Sequence, residues 1–393
     1  MSHSLISRSP DLKRLRDEGY EVEVRVGYLF VHSVPYVNAL GETAFGTLAS
    51  DLVLADDVTS AGGTHVAYFV GDHPCDLAGA QIVQIKHSTA STPLAGDIVA
   101  QHSLSNKPAG GYRDYHHKMT RYIEIISAPA RARDPRVVAT TFRRIDTEPG
   151  QSVFAYIDTA SSRAGIDTTS TRLARRVAII GLGGTGSYVL DLLAKTPATE
   201  IHLFDGDRFL QHNAFRSPGA ASLAELRDQP MKVDHFKTIY SNMHTRVVAH
   251  GVYVTEANID ELQGFDVVFI CVDKGSARKL VIDALRASRT PFIDVGMGVE
   301  IVPETRELWA VCRVTSATTE KNDHIASRIS MADRDEDDAY AQNIQIADLN
   351  MLNAAMAVIK WKKMCKFYMD VDNEHHSSYS TNFNLLTSDE KPT

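Results

Sequence analysis

Cysteine is scarce. Four stand in 393 residues, at Cys75, Cys271, Cys312 and Cys365, and no two form a C-x-x-C pair. That excludes a disulfide framework and makes a reducing, cytoplasmic setting the expectation. Long apolar runs are missing too: no uncharged hydrophobic stretch reaches the roughly 18 residues that a membrane span needs. The opening segment, MSHSLISRSPDLKRLRDEGY, has no apolar core of the kind a secretory signal requires. Basic charge is not in excess, since 41 Lys and Arg against 49 Asp and Glu leave a formal net charge of -8. A dedicated nucleic-acid binder would show a basic stripe, so that class is disfavoured. No internal repeat of solenoid period is visible. What is present is ordinary for a globular chain, 44% hydrophobic and 23% charged, and the length suits two or three domains rather than one.

Along the chain, Ser9 to Glu18 reads as a helix, with Leu12 and Leu15 on one face, Ser9 or Asp11 as its cap and Gly19 as its stop. Glu21 to Val37 alternates like strands, and Thr64–Val70 and Gln81–Lys86 are further strand candidates. Tyr112–Ile126 is helical in pattern, and Ser127 to Gly150, with Pro129, Pro135 and Pro149, reads as a connection between domains. A helical stretch is expected over Ser152–Arg163. From Arg175 the character changes: RRVAIIGLGGTGSYVLDLLAKT is a buried strand, a glycine turn and a helix, and IHLFDGD, FDVVFICVD and TPFIDVGMGV add further apolar strands. That alternation predicts a doubly wound, Rossmann-like α/β domain over residues 151–393, preceded by a smaller α+β domain over residues 1–150. Near the end, Leu352, Ala355, Met356 and Ile359 mark a helix by their spacing, and the acidic run Asp333–Asp338 reads as a solvated loop.

Gly181, Gly183 and Gly186 form G-x-G-x-x-G, with an added Gly184, directly after the strand VAII and at the start of a helix. Glycines there let the backbone turn tightly and approach phosphate closely, and the helix N-terminus offers free N–H groups and partial positive charge. Asp205, at the end of the next strand, can hold ribose hydroxyls. The loop and the acid alone fit a nicotinamide dinucleotide as well as ATP, so an NAD(P)-dependent oxidoreductase stays open at this point.

The ordered series GLGGTGS, FDGDRFLQHNAFR, QPMKV, DVVFICVDKGSARKL and PFIDVGMG, spanning about Arg175 to Lys363, resembles the ThiF/MoeB/E1 superfamily. These ATP-dependent enzymes adenylate the C-terminus of ubiquitin-like or sulfur-carrier proteins. The resemblance implies a role for each matching residue. Gly181, Gly183, Gly184 and Gly186 cradle the ATP phosphates, Ser187 donates to a phosphate, and Asp205 binds the ribose. Asn213, Arg216 and Lys232 face the phosphates, and Asp273 holds Mg²⁺. Arg163, in SSRAG, resembles the arginine that such enzymes lend across a homodimer interface, although it stands nearer the glycine loop than is usual. Adenylation brings two anions together and builds charge on pyrophosphate, so two cationic side chains and a metal ion are the electrostatic parts it requires. A dehydrogenase has no use for three such groups, and no acid or base suited to a nicotinamide stands out.

The chain also departs from the family. The two C-x-x-C pairs that hold a structural zinc in many relatives are absent, so no such zinc is expected. The loop over about Arg313–Ala341, where E1 enzymes carry a thioester cysteine, has none, and Lys274 and Ser217 replace the usual asparagine and glutamine. Cys271, Cys312 and Cys365 read as packing. Cys75, in the Gly/Pro/Asp-rich segment GDHPCDLAG, is expected to be exposed, with His73 favouring its thiolate, and is the candidate thiol acceptor of an E2-like N-terminal domain. The run LRDEGYEVEVRVGYLFVHSVPYV resembles some bacterial E2-like proteins. No histidine spacing matches a metal-ligand pattern. The alternative from a different class is a non-catalytic ATP-binding sensor or scaffold.

Overall fold

The structure, a computed structural model, describes residues 2–55, 58–60, 63–143, 152–332 and 344–388. The acidic run Asp333–Asp338 lies outside the described residues. The chain forms two compact units, Met1–Ile145 and Asp146–Thr393.

The first unit begins with α1 (Ser2–Arg8) and α2 (Pro10–Asp17). Pro10 opens α2 where its missing N–H costs nothing, and Gly19 ends the segment at a φ of +99°. Ser9 makes no side-chain cap; Asp11 accepts from Leu12 N instead. Then come β1 (Glu21–Arg25), β2 (Tyr28–Val37), β3 (Thr43–Asp51), the ribbon β4 (Leu54–Ala55) and β5 (Val58–Thr59), β6 (Val66–Val70), β7 (Lys86–Ala95), β8 (Ile98–Ser105) and α3 (Tyr115–Arg133). The main sheet is antiparallel, in the order β1-β2-β3-β6-β8-β7. Leu12 and Leu15 of α2 and Met119, Tyr122 and Ile126 of α3 bury against Leu29, Val31, Leu48 and Phe69 of the sheet.

Two expectations need correction here. Gln81–Lys86 is mostly turn, with one bridge between Cys75 and Gln81, and the strand is Lys86–Ala95. As an exposed edge strand, its outer residues HSTAST carry almost no apolar signal. The segment Ser127–Arg133 is helix, not connection, and α3 runs through Pro129. Burial of Ser127 and Ala130 continues the packed face of α3, and that packing outweighs the local cost of proline.

Lys118 of α3 is 3% exposed, and its Nζ donates to Ser50 Oγ, Thr64 O and Val66 O at 2.7 Å each. Burial pulls its pKa down to about 8, with Asp51 opposing the shift. Lys118→Met should destabilise this unit by about 3 kcal/mol, because three acceptors, the buried Ser50 Oγ among them, lose their donor. The sign of the linkage follows from the shift. Unfolded lysine keeps its proton to higher pH than the folded one, so the wild type gains stability as pH rises from about 8 toward the ordinary lysine range. The variant should lose that rise, as urea unfolding at several pH values will show.

The second unit holds α4 (Thr159–Arg163), α5 (Asp167–Ser170), β9 (Arg176–Ile180), α6 (Gly184–Leu193), β10 (Glu200–Phe204), α7 (Gln211–Ala214), α8 (Leu223–Asp228), α9 (Lys232–Tyr240), β11 (Val247–His250) and β12 (Val267–Ile270). It continues with α10 (Gly275–Ala287), β13 (Phe292–Ile301), β14 (Leu308–Ala317), α11 (Ile325–Arg328), α12 (Ala347–Met364), β15 (His376–Ser380) and β16 (Leu385–Ser388). The expected helix over Ser152–Arg163 shortens to α4, because the segment before it pairs with the strand region instead: Phe154 bridges His244, and Thr245 N donates to Val153 O.

The eight strands run β11-β10-β9-β12-β13-β14-β15-β16, with β11 to β13 parallel and the rest antiparallel. Helices cover both faces, which is why β9 reads as a continuous apolar run. Val177 and Ile179 pack with Leu190, Phe236 and Trp361 on one side, and Ala178 and Ile180 with Val281 and Leu285 on the other. The chain goes outward from β9 to β10 and β11, then returns to place β12 on β9's other flank. The strand order therefore reverses between β9 and β12, and open α/β sheets bind ligands at that crevice. The buried face of α12 differs from the expected one. Asn350, Asn353, Ala354, Ala357 and Trp361 are buried, whereas Ile359 is 46% exposed. Polar residues on the packed face hide it from any hydrophobicity count.

Candidate functional site

The glycine turn sits at the reversal point, between β9 and α6. Gly181 has a φ of +87°, and a Cβ there would lie 2.7 Å from Cys271 O at the end of β12. A Cβ on Gly186 would lie 1.9 Å from Gly181 O, and one on Gly184 would lie 2.0 Å from Asn350 Nδ2. These three glycines are demanded by the protein's own packing. Gly183 is different: its Cβ would meet nothing within 4 Å, so the backbone there faces open space at the N-cap of α6. That is where an anion can reach the helix N-terminus.

Asp205 follows β10 and is 7% exposed. Its Oδ2 accepts from Leu182 N at 2.6 Å and its Oδ1 from Asp207 N at 2.8 Å, which ties the acid to the glycine turn. Lys232, the first residue of α9, is 6% exposed and places Nζ 2.7 Å from Asp207 Oδ2 and 3.6 Å from Asp205 Oδ2. Burial works to raise the Asp207 pKa, but Lys232 and Tyr253 outweigh it and hold the carboxyl below its usual value. The Tyr253 hydroxyl donates to Asp207 Oδ1, and this bond, then burial, lifts its pKa to about 12.

Asn213, in α7, is 3% exposed; its Oδ1 accepts from Leu210 N at 2.8 Å while Nδ2 has no hydrogen-bond partner. Arg216 lies two residues beyond α7, half-buried, and its Nε is likewise buried without a partner. Burial lowers the Arg216 pKa, and the charges of Asp273 and Asp207 oppose that shift. Unpartnered buried donors on two neighbouring residues are costly unless something accepts from them. Asn350 of α12 joins these parts: it accepts from Thr185 Oγ1 at 3.0 Å and donates to Arg216 O at 3.3 Å. Asp273 is exposed, in the turn between β12 and α10.

The predicted residues thus divide. Gly181, Gly183, Gly184, Gly186, Asp205, Asn213, Arg216, Lys232 and Asp273 surround the carboxyl ends of β9, β10 and β12. Ser187 lies in the first turn of α6 but is fully buried, and its hydroxyl donates to Gly184 O at 2.8 Å, so it is spent inside the helix. Arg163 ends α4 and is exposed. The exposure expected of Cys75 is not found. The thiol is 1% exposed and donates to His73 O at 3.2 Å, and burial, then Asp76 and Asp72, raise its pKa. His73 does not favour a thiolate, because burial lowers its own pKa and its Nδ1 lies 2.9 Å from Pro74 O. Backbone bridges pair Cys75 with Val37 at the end of β2 and with Gln81, which composition could not reveal. Cys312 is buried in β14, donating to Leu349 O, and burial raises the pKa of Cys271 and Cys365.

Asn350 and Tyr253 were not foreseen, since neither stands in a recognisable pattern. Asp207 lies within FDGDRFLQHNAFR, where its charge is the one sequence signal of its pairing with Lys232.

A phosphate chain fits what is present: an open glycine backbone at a helix N-terminus, two unpartnered buried donors and a lysine. A divalent ion fits more narrowly. Among the described residues, no group of three or more His, Cys, Asp or Glu could hold a metal. Magnesium bound to a nucleotide needs only one or two carboxylates beside the phosphates, and Asp273 brings one carboxylate to the turn after β12.

The fold and site define a doubly wound α/β domain with a glycine turn opening a helix at its reversal point. The chain belongs to the ThiF family, whose model matches residues 160–392. Residues 10–159 match a domain of unknown function, DUF6791. No curated protein matches the chain. Similar solved structures include E. coli MccB with ATP, at 16% identity, covering 57% of this chain and 66% of that one with a TM-score of 0.42. MccB with AMPCPP and MccA gives the same identity and coverage and a TM-score of 0.45. PaaA is 17% identical, covering 60% of this chain and 80% of that one with a TM-score of 0.45. The chain spans 66% of the length of the first MccB structures it matches. Among the described residues, no helix is long and apolar enough to cross a membrane.

Proposed function

We propose that the second unit is an ATP-dependent adenylyltransferase that activates the C-terminal carboxylate of a peptide or small carrier protein, of the ubiquitin-like or sulfur-carrier kind. The observation that carries this reading is the pair of buried, unpartnered donors, Asn213 Nδ2 and Arg216 Nε, beside the glycine turn. They are the groups a bound polyphosphate would satisfy, and membership of the ThiF family supports ATP as its source.

In the reaction, a carboxylate oxygen of the partner bonds to the α-phosphorus of ATP. The bond from that phosphorus to the bridging oxygen breaks, and pyrophosphate leaves with the electron pair. Gly183 and the start of α6 hold phosphate through backbone N–H groups. Asp205 orients the ribose. Lys232, released from Asp207, and Arg216 neutralise the charge that gathers on the leaving pyrophosphate. Magnesium, held by Asp273, would supply further charge neutralisation at the reacting phosphates. A second copy of the chain would present the exposed Arg163 to this site as a homodimer partner. The setting that fits such chemistry is the cytoplasm.

Titration calorimetry of the full chain with ATP, with and without Mg²⁺, and with NAD⁺ and NADP⁺, tests the reading. Binding of ATP that Mg²⁺ strengthens is the expected result. Binding of NAD⁺ with no response to ATP would replace the reading by an oxidoreductase. ATP binding without ATP–pyrophosphate exchange, in the presence of a carboxylate partner, would leave a sensor or scaffold.

A further inference from the structure

Beneath the turn that carries Asp273 lies an ionic cluster built around a buried carboxylate. Asp294 of β13 is 0% exposed and is held by two guanidinium groups. Its Oδ1 accepts from Arg278 Nε at 3.0 Å and its Oδ2 from Arg313 Nη2 at 2.6 Å. Arg278 stands in the first turn of α10, and its Nη2 donates to Val272 O, the carbonyl next to Asp273. Arg313 of β14 also donates from Nη1 to Thr315 Oγ1 at 2.7 Å, and Thr315 Oγ1 lies 2.9 Å from His376 Nδ1 in β15. Room for Arg313 is made by Gly296, where a Cβ would lie 2.5 Å from Nη2.

Stability alone is a poor reason for such a cluster. A fully buried carboxylate held by two partly buried guanidinium groups pays a desolvation cost that well-packed apolar side chains of similar volume would avoid. The geometry has another use. Residues 271–274 belong to no helix or strand, so the position of Asp273 is set by its own contacts together with what grips its neighbours. The guanidinium of Arg278 is planar and forked, with one edge on Asp294 and one hand on Val272 O. Lysine, a point donor, cannot occupy both directions.

We propose that the Arg278–Asp294–Arg313 cluster is a positioning unit. It clamps the Val272 carbonyl to the antiparallel half of the sheet and so sets the carboxylate of Asp273 where the metal–nucleotide reacts. This rests on the adenylation reading for what Asp273 binds, but not for the clamp itself.

Two measurements on the full chain separate these parts. The first is hydrogen exchange of the 271–275 segment without nucleotide. In Arg278→Lys it should rise at least about tenfold, while β9 and β10 exchange as in the wild type. The second is ATP titration at several Mg²⁺ concentrations. The Mg²⁺ concentration for half-maximal strengthening should rise by about 10- to 100-fold, as when partners of a metal ligand are lost, while Mg²⁺-free ATP affinity stays within about twofold. Arg313→Lys, farther from the turn, should move both readouts the same way by less, and it keeps the test open where Arg278→Lys does not fold. Unchanged exchange in both variants overturns the clamp. Equal loss of Mg²⁺-free and Mg²⁺-dependent affinity overturns positioning in favour of a general packing role. A wild type that binds no ATP, with exchange raised in the variants, overturns the adenylation reading and the role toward the metal while the clamp stands.

Discussion

Asp273→Ala is expected to remove the Mg²⁺-dependent part of ATP binding and to lower ATP–pyrophosphate exchange by about 10²- to 10³-fold, the usual cost of removing one group that meets developing charge. Its thermal unfolding should stay close to wild type. Asp273 is exposed, outside every helix and strand, and belongs to none of the buried clusters, and surface substitutions of this kind usually change stability by no more than about 0.5 kcal/mol. Mg²⁺-free ATP should still bind through Gly183, Lys232 and Arg216. Calorimetry at fixed ATP with increasing Mg²⁺ checks the first half and a melting curve the second. Retained Mg²⁺ dependence would mean that the ion is held elsewhere, and the assignment of Asp273 would fall.

The second large effect is expected at the glycine turn, where two substitutions should behave in opposite ways. Gly186→Ala puts a methyl group 1.9 Å from Gly181 O and 3.1 Å from Cys271 Cβ. Gly181 O is backbone of the turn itself, and Cys271 Cβ is fixed to the backbone just after β12, so neither can swing aside. Overpacking of this kind costs about 3 kcal/mol, and ATP binding should be lost with the geometry of the turn. Gly183→Ala meets no atom within 4 Å and has a φ of -67°, ordinary for any residue. Its melting temperature should barely move, yet its added methyl group stands where phosphate must approach. Urea unfolding and ATP titration of the two variants together separate a glycine kept for packing from one kept for a ligand. Normal ATP affinity in Gly183→Ala would argue that the phosphates lie elsewhere.

Much of the site was legible because its chemistry is local. A buried strand, a glycine turn and a helix start are adjacent in sequence, so Gly181 to Gly186 could be read without knowing the fold. Asp205 could be read from its place at the end of the next strand, whereas Arg216 and Lys232 were implied by the resemblance to the ThiF/MoeB/E1 superfamily. The first unit was harder. Its edge strand Lys86–Ala95 is polar and exposed, and its longest helix contains a proline, so each gave the wrong local signal. Cys75 shows the same limit. A Gly/Pro/Asp-rich segment is usually exposed, and Asp76 to Ala78 are, but backbone pairing to Val37 and Gln81 buries Cys75 itself.

The sequence by itself determined the alternation of strands and helices in the second unit, the place of the glycine turn, and the residue types available to meet a polyphosphate. Those properties reside in periods and spacings of a few residues. Only the tertiary structure decided which groups meet across long separations. Asn350 reaches Thr185 and Arg216 because α12 packs on α6. Arg278, Asp294 and Arg313 converge because β13 and β14 pair in one register, opposing Gly296 to Arg313. Cys75 loses its exposure to a strand nearly forty positions earlier. Hydrogen bonds and close packing select such partners by geometry, and no local pattern of hydrophobicity or charge encodes it.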